Sequence, residues 1–200
     1  MPFPGRRGGG GGGAPVDWLI VGLGNPGAEY KGSPHNIGFE VAERLNRRWD
    51  LGKPKARYRG LLTEGRTGVG PGHQRVAVLM PQTYMNEAGT SVGPARGELK
   101  VDLDHVLVIH DEIDLPFADI RTRLGGGLAG HNGLKSLKAS LGSADFRRVR
   151  VGVGRPPTTD PDRVAAYVLG KFKEPKADVE ALIDEAADAA QRIVEDAPEQ

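Results

Sequence analysis

The stretch DWLIVGLGNPG, residues 17–27, decides the fold. An apolar run through Trp18, Leu19, Ile20, Val21 and Leu23 stops at Gly24-Asn25-Pro26-Gly27, the pattern of a buried strand running into a turn. After a polar loop, residues 36–49 bring Ile37, Val41, Ala42, Leu45 and Trp49 to one side, close to a period of about 3.6, which predicts an amphipathic helix. Strand, loop and helix open an α/β unit. Later segments continue it: strands are expected at 57–62, 75–79, 104–109, 118–122 and 146–153, and helices from Asn132 as cap, over 161–169 and over 176–194. The sum is a single α/β domain with a mixed, mostly parallel twisted sheet flanked by helices. In such sheets, polar groups after the carboxyl ends of the strands converge on a crevice.

Two hundred residues suffice for one domain with its own apolar core. Residues 1–15 are glycine-rich, with little to bury and much backbone entropy to lose, so they are expected to be a disordered tail ahead of a domain over 16–200. The chain has no cysteine, which rules out a disulfide scaffold, a thiolate zinc site and a cysteine nucleophile, and suits a reducing cytoplasm. No segment approaches the roughly 20 apolar residues of a membrane span, and the N-terminus lacks the apolar stretch of a signal peptide. Net charge is +1, yet Lys and Arg outnumber Asp and Glu in the first hundred residues and are outnumbered in the second, largely through an acidic C-terminal helix. The body before that helix is basic, which permits a polyanionic partner.

Asn25, Asn86 and Asp111 each follow an apolar run, His35 precedes the first helix, and Asn132 begins a later one. A neutral His35 whose other ring nitrogen is held by Asp111 can take a proton from water, while asparagine amides position water and carbonyl and stabilise an oxyanion. The helix end and Asp111 pull the imidazole in opposite directions, so its ionisation is expected between about pH 5.5 and 7.5. Ser33, in GSPHN, does not sit in a nucleophile elbow. The five histidines are dispersed and contain no metal-binding H-E-x-x-H, so metal catalysis is the poorer fit. Pro26 breaks the spacing of a dinucleotide fingerprint. His110 is read as packing or bonding locally. Arg147, Arg148, Arg150 and Arg155 are either a solvated rim or a phosphate-binding patch, with Arg148 and Arg150 on one strand face. Tyr30 and Tyr84 are core or rim residues, or stack on a base.

VGLGNPGAEYKGSPHNIGFEVAERL, MPQTYMNEAG, HDEIDLP, GGGLAGHNGLKSL and FRRVRVGVGRP, in that order, together resemble the bacterial peptidyl-tRNA hydrolase family over residues 18–190. The resemblance implies a monomeric, cytoplasmic, cofactor-free hydrolase with no obligate protein partner. Its substrate would be peptidyl-tRNA, cleaved at the ester between peptide and 3′-terminal ribose so that tRNA is recycled. Carried over by motif, His35 resembles the catalytic base and Asp111 its orienting carboxylate. Asn25 and Asn86 resemble substrate-site amides, and Asn132 the residue holding the catalytic water. Tyr84 and Met85 match a pair beside the pocket, and Tyr30 a tyrosine at its entrance. Arg123, His131 and Arg150 fall where family members contact or approach tRNA. Arg163 is a candidate for the family's entrance lysine. Two departures stand out: Pro34 precedes His35 where many members carry Arg, and Leu128-Ala129 replaces a common His-Gly in the glycine-rich loop. The competing reading is a non-catalytic RNA-binding or RNA-processing accessory protein of the same fold.

Overall fold

In the computed structural model, which describes residues 15–196, strand β1 (Trp18–Gly22) is buried at every position. Residues 1–14, nearly all of the expected tail, and 197–200 lie outside the described part. β1 is the centre of a parallel block, between β4 (Arg75–Pro81) and β5 (Val106–Glu112), with β7 (Arg147–Gly152) beyond β5. Continuous apolar runs suit these strands because helices cover both faces of the sheet. The edges are antiparallel: β3 (Gly60–Arg66) pairs with β4, β2 (Lys55–Arg57) with β3, and β6 (Ile120–Leu124) with β7. The strand order is β2-β3-β4-β1-β5-β7-β6.

Alternation along the strands divides the core into two layers. Ile20, Ile109 and Val151 meet Val41 and Leu45 of α1 (Ile37–Arg48) and Leu182 and Ala186 of α5 (Lys176–Glu195). On the other face, Val21, Val108 and Phe146 meet Val92 and Ala95 of α2 (Gly89–Leu99) and Leu134 and Leu137 of α3 (Asn132–Leu141). The remaining helix, α4 (Pro161–Leu169), buries only Val168.

Three elements differ from the sequence reading. The strand expected over 57–62 is interrupted by a tight turn in which Tyr58 and Arg59 both take positive φ, 52° and 50°, separating β2 from β3. That conformation normally selects Gly or Asn, so the local sequence does not announce it; the Arg59 carbonyl is held by the Gln82 N–H at 2.9 Å. Helix α2 was not expected, since Gly89, Gly93, Pro94 and Gly97 all lower helix propensity. Tertiary packing outweighs propensity here: Val92 and Ala95 are buried, and a side chain at Gly89 would clash with the Ser136 carbonyl of α3. Finally, β5 runs on through His110, Asp111 and Glu112, which pair with β7 instead of lying beyond the strand end.

One close approach sets up the site. Gly22 and Gly38 pack backbone to backbone, and a Cβ on Gly38 would clash with Leu23 and with the Ile109 carbonyl. The N-terminus of α1 is thereby pressed against the carboxyl ends of β1 and β5, carrying the preceding turn onto Asp111.

Candidate active site

That preceding turn, Pro34–Asn36, is a single turn of 3₁₀ helix containing His35. Its Nδ1 lies 3.0 and 2.9 Å from the two carboxylate oxygens of Asp111. Asp111 Oδ1 is also 2.8 Å from Nε2 of His131. Nδ1 of His131 accepts from the Gly133 and Leu134 N–H groups at 3.1 and 3.3 Å, so the proton of the neutral ring is on Nε2 and is donated to Asp111. Asp111 therefore sits between two imidazoles and accepts from both. Burial acts to raise its pKa, but His35 and His131 outweigh that effect and hold it far below the carboxylate range. For His35 burial acts to lower the pKa, and the charge and hydrogen bond of Asp111 override it, so the ring titrates above its ordinary 6.5. With Nδ1–H turned to Asp111, Nε2 is the nitrogen left to act as a base.

The asparagines are held by a second set of bonds. Asn25 and Asn36 are joined reciprocally: Asn25 N–H donates to Asn36 Oδ1, and Asn36 Nδ2 donates to the Asn25 carbonyl, both at 2.9 Å. Asn25 Oδ1 accepts from the Met85 N–H at 2.7 Å, which leaves its amide NH₂ as the end with no partner among the described residues. Asn36 was read from sequence only as a helix start; two loop asparagines eleven residues apart are too weak a signal to suggest this pairing.

His35, Asp111, Asn25, Tyr84, Met85, Asn86 and Asn132 all line one cavity of about 510 Å³. Tyr84 is 61% exposed, whereas Met85 is buried, its sulfur packed where a side chain at Gly133 would come within 2.5 Å. Val164, Ala165, Val168 and Leu169 of α4 form an apolar wall that the sequence reading missed. The available signal was an amphipathic helix whose apolar stripe the core leaves mostly uncovered. Glu112, also missed, lines the same cavity.

Several assignments change. His131, expected on the tRNA side, is 8% exposed, is bonded to Asp111 and to the start of α3, and lines the same cavity as His35. It, and not Asn132, caps α3. Tyr30, half-buried in the Ala28–Tyr30 turn, is not among the cavity-lining residues. Arg163, the candidate for the entrance lysine, lines a separate cavity with Tyr167 and Lys171, across α4 from the one that holds His35 and Asp111. His110 is buried, and its Nδ1–H donates to the Asp111 carbonyl at 2.8 Å; burial, then the neighbouring His131, push its pKa down to about 3.

Four of the five arginines in β6 and β7 share one face, with Arg123 opposite Arg148 and Arg121 opposite Arg150. Their roles diverge. Arg148 is 2% exposed and donates to the carbonyls of Gly126, Gly127 and Ala144, tying down the glycine-rich loop. Arg123 is exposed beside Gly126, and Arg150 is half-buried against Glu112. Arg155 pairs with Asp114, and Arg147 donates to the Asp104 carbonyl.

His35, Asp111 and His131 place their ligating atoms within 4.8 Å of one another, a donor set that suits a metal by composition. In the hydrogen-bonded arrangement both ring nitrogens carry the protons given to Asp111, and a cation would have to displace both.

An open α/β sheet with a carboxylate-oriented histidine at its carboxyl edge, amides around it and arginines beside it defines a hydrolase class that activates water against a polyanionic substrate. The chain matches the family model "Peptidyl-tRNA hydrolase" over residues 19–200. It is 45% identical to the peptidyl-tRNA hydrolase of Xanthobacter autotrophicus over 184 residues, 92% of this chain and 88% of that one. It is 47% identical to that of Parvibaculum lavamentivorans over 174 residues, 86% and 82% of the two chains. The crystal structure of peptidyl-tRNA hydrolase from Acinetobacter baumannii superimposes with a TM-score of 0.77 at 34% identity, covering 91% of each chain. This chain belongs to the peptidyl-tRNA hydrolase family.

Proposed function

We infer that this chain hydrolyses the ester between a peptide and the 3′-terminal ribose of tRNA, releasing the peptide and returning the tRNA for reuse. The observation that carries this reading is the ionised Asp111 bonded to Nδ1 of His35, which leaves Nε2 to take a proton from water. The hydroxide equivalent attacks the ester carbonyl carbon, and the oxyanion that forms is met by preorganised amide donors. The free NH₂ of Asn25 is the donor whose orientation is best supported, because Met85 fixes its other end. Asn132 holds the attacking water, and Asn86 reads the acylated amide next to the ester. Collapse of the tetrahedral intermediate breaks the bond to the ribose oxygen, which takes the proton held on His35. Tyr84, exposed at the rim, supplies a face for the terminal base, while the α4 wall accommodates apolar parts of the peptide. Arg123 and Arg150 contact tRNA phosphates. The protein acts as a monomer in the cytoplasm.

The test is to incubate the purified protein with a defined peptidyl-tRNA. Free peptide together with intact, deacylated tRNA is the expected outcome. A protein that binds tRNA tightly but releases no peptide is the RNA-binding accessory protein instead.

A further inference from the structure

Arg150 does not stand free on the basic face. Its Nη2 donates to Glu112 Oε1 at 2.6 Å, and the Glu112 side chain is 4% exposed against 23% for the arginine. The register explains the reach: Arg150 lies opposite His110 on β5, and Glu112, two residues further along, is on the same face. Glu112 directly follows Asp111 and lines the catalytic cavity. One buried carboxylate thus touches both the wall of the ester-cleaving site and the arginine facing the tRNA side. Among the described residues the protein uses only one of the Arg150 guanidinium nitrogens, which leaves the rest of the fork for an anion.

We propose that Glu112 is a positioning residue that aims Arg150 at a tRNA phosphate and ties phosphate recognition to the catalytic cavity. The proposal rests on the peptidyl-tRNA reading given above. Its sign separates it from a plain charge effect. Removing a negative charge beside a cationic face should, by Coulomb attraction alone, tighten the binding of a polyanion. Removing the group that orients Arg150 should instead weaken it.

The variants Glu112→Gln, Arg150→Ala and the double change are compared by titrating uncharged tRNA across a range of salt concentrations. Each is also assayed for hydrolysis of peptidyl-tRNA and of an N-acetylaminoacyl adenosine, which carries the ester but no phosphate. Glu112→Gln should weaken tRNA binding about 3- to 10-fold. The slope of log affinity against log salt should fall by up to about 0.9, the loss of one neutralised phosphate. The double variant should lose little beyond Arg150→Ala, since both act through one contact. Any loss in turnover of the adenosine ester should be smaller than the loss with peptidyl-tRNA, because the adenosine ester carries no phosphate for Arg150 to meet. Glu112→Asp, which keeps the charge but shortens the reach, should fall between wild type and Glu112→Gln. It serves as the reporter if the glutamine variant unfolds. Tighter or unchanged tRNA binding in Glu112→Gln overturns the proposal, as do independent, multiplying losses in the double variant. Failure of the wild type to cleave peptidyl-tRNA overturns the activity reading itself, whatever Glu112 does.

Discussion

His35 and Asp111 are separated by 76 positions in the chain yet share two contacts at about 3 Å. Their roles in the proposed mechanism predict different losses. His35→Ala should nearly abolish turnover while leaving most tRNA affinity, because the proposal assigns affinity to the arginine face and not to the imidazole. Asp111→Asn keeps the size but removes the charge that favours imidazolium, and should cost about 10²-fold or more in single-turnover rate. The pH profile follows from the shift of His35. The base is active only when neutral, and Asp111 holds its pKa above 6.5, so turnover should climb with pH along a limb above that value. In Asp111→Asn burial acts unopposed, and the limb should move to lower pH. Single-turnover deacylation over about pH 5–9 checks both points. Stability responds to the two histidines in opposite senses. The raised pKa of His35 contributes stability that is full below 6.5 and is lost as pH rises through its folded value. The depressed pKa of His110 contributes stability that is full above 6.5 and is lost as pH falls toward about 3. NMR of the ring nitrogens should find His110 still neutral at mildly acidic pH, after His35 has become charged.

Each supporting element makes its own demand on stability. Gly38 admits no side chain, because its Cβ would meet backbone atoms of β5 and of the turn after β1. Gly38→Ala should cost about 1–3 kcal/mol through overpacking and also slow turnover, since it displaces the turn that carries His35. His131 has two jobs, which can be separated. Replacement by Ala removes the cap of α3, about 1 kcal/mol, and a hydrogen bond to ionised Asp111, about 1.5–3 kcal/mol. Replacement by Asn should restore the cap but not the bond, so urea unfolding should recover only the smaller part. The glycine-rich loop contains Ala129 at φ 50°, where an L side chain costs about 1–2 kcal/mol. Gly relieves this strain but gains about 0.4–1 kcal/mol of unfolded-chain entropy. The near balance predicts that Ala129→Gly is neutral to about 1 kcal/mol stabilising. A clear loss of stability would show that the methyl packs usefully against the loop.

For the whole molecule, the basic ladder and the ester site predict different salt responses. Affinity for tRNA should fall steeply with salt, whereas turnover of a small N-blocked ester should barely change. Recycling also demands that ordinary aminoacyl-tRNA be spared. A polar site can reject a substrate that lacks the group it bonds more strongly than an apolar pocket can. N-acetylaminoacyl-tRNA should therefore be cleaved much faster than its unblocked counterpart, and equal rates would remove Asn86 from its assigned role. The sequence made legible the parallel centre of the sheet, most helices and the polar residues His35, Asp111, Asn25, Asn86 and Asn132, which the fold brings to one cavity. Apolar periodicity is a local property, and polar residues at strand ends are visible without coordinates. It did not reveal the Tyr58-Arg59 turn or α2, where packing overrides local preference. Nor could it tell that Arg148 is buried while Arg123 is exposed, because alternation places both on the shared ladder face without saying what lies above each. Tertiary structure alone decided that His131 supports Asp111 from 20 residues away, that Arg150 pairs with Glu112 across 38, and that Arg163 faces away from the catalytic cavity. The physical reason is common to all three. A polar side chain's role is set by the partner it meets when buried, and that partner comes from another element brought close by the fold.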